Sequence, residues 1–213
     1  MSERGVALVL VLLVISTVSA LALSLAILVS TESRVSAAYR DGTQALYGAE
    51  AALERVLPDL AAEADLDQPL SGAGQSSFTD GPPGLRRLPD GTFMDLHALT
   101  AMLNCGRVVC SETDLVQTTA DRPWGANNPR WQLYGYGPLP GGSPVYAVVW
   151  VADDASETDD DPFADGGGAD NPGRGRLSVT AHGYGPAGTR RVIEASVAIA
   201  AGRLSVLSWR EVR

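Results

Sequence analysis

The chain has no lysine, two histidines and two cysteines among its 213 residues. All 16 basic residues are arginines, set against 25 acids, for a formal charge of −9. That balance excludes a broadly basic nucleic-acid binder. Without a lysine, the Gly166-Gly167-Gly168 run is not a phosphate-cradling P-loop. No Ser or Cys motif accompanies His97 or His182, so the usual nucleophile–base pairs have no carriers. Nothing in the spacing of the acids sets two carboxylates across a cleft, as a glycosidase requires. The expectation is a protein that is not an enzyme. Cys105 and Cys110 are separated by four residues, not by the two of redox and zinc motifs. Two thiolates alone do not close a structural zinc shell. If this region lies outside the cytoplasm, a Cys105–Cys110 disulfide is the expected state, and two reduced buried thiols are the alternative.

Charge is also missing from Val6 to Ser30. As a helix this run is roughly 37 Å long, enough to span a hydrocarbon core of about 30 Å. Ser16, Thr17, Ser19 and Ser24 interrupt it, but a hydroxyl can bond back to its own helix. Three membrane readings compete. One is a plain signal anchor. Another is a secretory signal cleaved near Val18-Ser19-Ala20, although the apolar run continues past Ala20 and Glu3 offsets Arg4. The third is a prepilin-type signal: a short polar leader, residues 1–5, ends at Gly5 and the apolar helix starts at Val6.

Beyond Ser30 a helical period persists through Val35, Ala38, Tyr39, Leu46, Ala49, Leu53, Val56, Leu57 and Leu60. Pro58 is expected to stop or kink it, giving one helix over residues 6–58 whose first part, 6–30, is transmembrane. Gly42 and Gly48 each cost about 1 kcal/mol relative to Ala, and a bend is expected near them.

The Gly and Pro residues, 23 and 13 of them, cluster after residue 58 and announce loops. Residues 59–130 read as irregular with short helices, one within Asp59–Gly91 and a second over Met94–Asn104. Residues 131–213 read as antiparallel sheet. One hairpin runs from Trp131–Tyr134 to Val145–Val151, a second from Arg176–Ala181 to Arg191–Ile199, and Arg203–Val212 adds a fifth strand. Both hairpins contain Gly-Tyr-Gly-Pro, at Gly135–Pro138 and Gly183–Pro186, which reads as turn chemistry. The fold class is α+β: a long N-terminal helix whose second half packs on a C-terminal antiparallel sheet.

Eight of the acids fall between Asp153 and Asp170, with no base among them. Within this loop Asp159, Asp161 and Asp165 have the spacing of the early ligands of a calcium loop. No Glu stands at the twelfth position, so the full EF-hand pattern is absent. Ca²⁺ is the one cofactor the residues point to, and a solvated acidic loop is the other reading.

The stretch Arg4-Gly5-Val6-Ala7-Leu8-Val9, then Thr31-Glu32-Ser33-Arg34, Tyr39-Arg40-Asp41 and Ala45-Leu46-Tyr47-Gly48-Ala49-Glu50-Ala51-Ala52-Leu53, resembles the N-terminal region of PilX-type minor pilins of type IV pili. A thinner resemblance to PilX-type heads runs through Asn128-Pro129-Arg130-Trp131, the strand beginning at Leu177 and Ser208-Trp209-Arg210-Glu211. The resemblance implies removal of the leader after Gly5 by a prepilin peptidase, which also methylates the new amino terminus at Val6. Major pilins carry a glutamate at the fifth mature position, where this chain has Leu10. A carboxylate among apolar helices is stable only when paired, so Leu10 points away from a major pilin and toward a minor subunit at or near a filament tip. Lack of this acid also resembles the tip pseudopilin of type II secretion systems. The implied role is structural, in priming or tipping pilus assembly, with adhesion through the head. Other pilins are the implied partners, through the N-terminal helix. The implied location is the bacterial inner membrane before assembly, with the head in the periplasm, and then the cell-surface filament. The rival reading is a single-pass anchored, extracytoplasmic calcium-binding domain.

Overall fold

The uncharged N-terminal run forms a helix, as its composition dictates. A computed structural model describes residues 3–157, 159–166 and 173–212. Leader residues Met1 and Ser2, and residues 158 and 167–172 of the acidic loop, lie outside the described residues. Helix α1 spans Glu3–Ala62. It contains the boundary between two units, one ending at Arg40 and one beginning at Asp41. In the first unit every residue from Val6 to Arg40 is exposed.

In the second unit, α1 from Asp41 onward buries one face. Gly42, Ala45, Gly48, Ala49, Ala52, Val56 and Leu60 lie on it, at steps of three to four residues except for the adjacent pair Gly48 and Ala49. They pack on a five-stranded antiparallel sheet in which each strand pairs with the next in sequence: β3 (Gln132–Pro138), β4 (Tyr146–Asp153), β5 (Arg176–Tyr184), β6 (Arg190–Ala200) and β7 (Arg203–Val212). Ala147, Val149 and Val151 of β4, Val179 and Ala181 of β5, and Ile193 and Ala195 of β6 meet the helix. The α+β architecture and the helix-on-sheet packing are those expected from the sequence.

The helix passes Pro58 and ends four residues later. Pro58 is exposed, and its lost backbone bond is offset by the seating of Val56 and Leu60 in the core on either side of it. Only the second Gly-Tyr-Gly-Pro reaches a turn, where Gly185 and Pro186 open the 3-10 turn between β5 and β6. Gly135–Pro138 lies wholly inside β3, and Gly183 and Tyr184 end β5. Their glycines serve close approach to the helix. A Cβ at Gly183 would overlap the Ala45 carbonyl oxygen and stand 3.0 Å from the Ala49 nitrogen, and one at Gly135 would stand 2.8 Å from Val56 Cγ1. Gly48 answers from the helix side, where a Cβ would overlap Val145.

Residues 59–130 are more ordered than their composition predicts. They hold α2 (Asp67–Leu70), a hairpin of β1 (Leu85–Arg87) and β2 (Phe93–Asp95), α3 (Leu96–Cys105) and α4 (Glu112–Val116). The expected helix starts two residues late because Met94 belongs to β2. Asp95 caps α3 by accepting from the backbone N–H groups of His97 and Ala98, and Gly106 closes it in the left-handed region at φ 72°. This segment covers the sheet face opposite α1. Met94 and Leu96 pack with Tyr136, Tyr146, Val148 and Trp150, so β4 is buried on both faces. Trp150 Nε1 donates to Thr100 Oγ1 at 2.8 Å, and Tyr146 Oη donates to Asp80 Oδ2 at 2.9 Å, tying the two layers together.

His182 is a strand residue, not a turn residue. It sits in β5 at 7% exposure, edge-on to Trp150 with ring centroids 4.7 Å apart and with Nδ1 3.3 Å from Tyr184 Oη. Burial, with a smaller contribution from Arg190, holds its pKa down at about 3. Folding therefore favours the neutral ring. Its contribution is fully present above the unfolded value of about 6.5 and is lost as pH falls from there toward 3. Two expectations follow for the full chain in micelles. Between pH 7 and pH 4 the thermal midpoint of His182→Gln should gain on that of the unmutated chain, because the variant lacks the histidine's loss; a midpoint difference that stays constant with pH would contradict the assignment. Gly183→Ala should cost about 1–3 kcal/mol by overpacking the helix–sheet seam, while Ala51→Ser on the exposed helix face should leave the midpoint in place.

Candidate functional site

Three features carry the functional candidates: the bare half of α1, the disulfide and the acidic loop. In the first unit the hydroxyls bond to their own helix. Ser16 Oγ donates to the Leu12 carbonyl at 2.7 Å, Thr17 Oγ1 to Val14 at 2.9 Å and Ser24 Oγ to Ala20 at 2.9 Å. Their polarity is thereby satisfied internally, which leaves an apolar cylinder from Val6 to Val29. This helix is long and apolar enough to cross a membrane. Gly5 and Val6, the expected processing junction, lie in its first turns. Leu10 is 57% exposed on this surface.

Cys105 and Cys110 form a disulfide. Cys105 is the last residue of α3, and Ser111, next to Cys110, caps α4 through a reciprocal box with Asp114. The bridge thus clamps the turn between two short helices, and Arg107 adds an ion pair to Asp114 at 2.9 Å. Just beyond, Asn128 is fully buried. Its Nδ2 donates to the carbonyls of Leu115 and Gln117, and its Oδ1 accepts from the Trp124 N–H. This Asn ties the α4 segment to the start of β3, which accounts structurally for the Asn128–Trp131 stretch.

The acidic loop leaves β4 at Asp153 and returns at Arg176. Oxygens of Asp153, Glu157 and Asp159 all lie within 4.8 Å of one another. A tight turn brings them together: the Glu157 N–H donates to the Asp154 carbonyl at 3.0 Å, and the Ser156 N–H to Asp154 Oδ1 at 3.0 Å. Asp153 is 5% exposed and Glu157 1%. Gly166 N–H donates to Glu157 Oε2 at 2.7 Å, and Gly173 packs so closely on Glu157 that a Cβ there would overlap it. Burial, reinforced by the charge of Glu157, pushes the Asp153 carboxyl up to about 8.

Of the three acids singled out by spacing, Asp159 belongs to this group, while Asp161 and Asp165 point to backbone partners. Asp161 Oδ1 accepts from Phe163 N–H at 3.2 Å, and Asp165 Oδ1 accepts from Gly175 N–H at 2.5 Å. Burial raises the Asp165 pKa as well. Sequence spacing missed Asp153 and Glu157. The available signal was an acid at the end of an apolar strand with a second acid one tight turn later, but only the fold shows that both turn inward. His97 is exposed at the start of α3, and His182 is buried in β5.

Residues 4–54 match the family model described as PilX N-terminal. No curated protein and no solved structure matches the chain. The matched segment contains Gly5, Val6 and Leu10, the whole apolar cylinder and the small-residue face from Gly42 to Leu53. The likeness is confined to this segment, which is similar to the N-terminal part of PilX-type pilins.

Proposed function

We propose that the chain is a minor pilin that is processed after Gly5, N-methylated at Val6 and incorporated through α1 at or near the tip of a type IV pilus or a related filament. One observation carries this reading: the PilX-type segment presents an apolar helix bare from Val6 to Val29, continuous with a helix half that is seated on the sheet. So much apolar surface requires lipid or sister helices around it. In the inner membrane lipid supplies that environment; in a filament, neighbouring pilin helices do. Leu10 suits a subunit that does not neutralise a neighbour's amino terminus, because no unpaired carboxylate then needs burying. Its role is structural, in priming or capping assembly, with the head exposed for surface contact.

Co-expression with a prepilin peptidase, followed by mass spectrometry of the N-terminal peptide, tests this. The expected product begins at methylated Val6, and Gly5→Ala should retain Met1. Retention of Met1 by the unmutated chain would favour a plain anchor, and a start at Leu21 would favour secretory cleavage; either outcome removes the pilin reading.

A further inference from the structure

We propose that Asp153, Glu157 and Asp159 form a binding site for one hard divalent cation of the calcium class, which fastens the acidic loop to the end of β4. The inference is independent of the filament reading. The three carboxylates approach within 4.8 Å of one another although they carry like charge. In water such groups spread apart, but here two of them are fixed in the interior by the strand end and by the turn through Asp154. Asp153 is more than nine-tenths buried, and its Oδ1 has no hydrogen-bond partner among the described residues although solvent does not reach it. A buried carboxylate that carries an unmatched oxygen and stands close to two further carboxylates is costly to retain in a folded protein. A cation between them turns that cost into coordination.

The donor set selects the ion. It consists of oxygens, with no imidazole or thiolate, which suits a hard cation. Ligands about 2.3–2.6 Å from Ca²⁺ can stand up to about 5 Å apart across one ion, which accommodates the spacing seen here. Mg²⁺, at about 2.0–2.1 Å, draws its ligands to within roughly 4.2 Å and releases its waters reluctantly. Asp159 is exposed, so the ion has an entry path and room for the waters that complete six to eight ligands. The neighbouring acids act from outside the set: Asp161 and Asp165 hold the loop backbone through Phe163 and Gly175.

The test uses the full chain in detergent micelles, first stripped with a chelator. CaCl₂ should raise the thermal midpoint and slow hydrogen exchange around Asp153–Asp165, saturating at about 10⁻⁴–10⁻³ M as in other extracellular calcium modules. Asp159→Asn removes an exposed ligand without threatening the fold and should weaken the response at least tenfold. Asp161→Asn should leave it unchanged. Asp153→Asn should abolish the response. Absence of any calcium response up to 10 mM, an equal or stronger response to MgCl₂, or an Asp161→Asn loss matching that of Asp159→Asn would overturn the assignment.

Discussion

The head depends on how closely α1 can lie against its sheet. Residues with little or no side chain meet across the seam: Ala45, Gly48 and Ala49 on the helix, and Gly183 and Gly135 on the strands. At Gly183 the helix backbone itself fills the space a side chain would occupy. This distance fixes the rest of the packing. Larger residues on either side of the seam, Val56 and Leu60 on the helix and Val149, Val179 and Ile193 on the sheet, reach one another only because the small residues let the two surfaces come together.

The opposite sheet face imposes the complementary requirement. Tyr136, Tyr146, Val148 and Trp150 project away from α1 and would be stranded in water without a cover. The hairpin of β1 and β2 with α3 supplies that cover, and the Cys105–Cys110 bridge and the Asn128 hydrogen bonds hold its far end in place. The sheet is therefore a middle layer. The acidic loop grows from the end of the strand buried on both sides, which explains how Asp153 comes to be so deeply enclosed.

The long helix, the five strands and their antiparallel order were legible in the sequence because period and alternation are strong there. The disulfide partners were legible by count. The covering layer was not, because its elements are three to ten residues long and owe their form to capping by Asp95, Gly106 and Ser111 and to the sheet beneath them. The strand glycines misled for a physical reason: Gly-Tyr-Gly-Pro has the composition of a turn, and only the helix lying against β3 and β5 shows that the missing side chains make room. The candidate cation ligands were half legible. Spacing found Asp159, but the inward acids Asp153 and Glu157 belong to a constellation made by a strand end and a turn, which linear motifs do not encode.

The two kinds of contact that build the head differ in their reach along the chain. Every rung of the ladder from β3 to β7 joins neighbours in sequence, so the strands can zip up in order. The helix must wait. Its closest seat, at Gly183, is made by a strand that arrives far later in the polypeptide, and a chain interrupted before β5 would lack the strand on which Ala45 and Ala49 rest. Seating of the helix from Asp41 onward is thus a checkpoint on completion of the sheet beneath it.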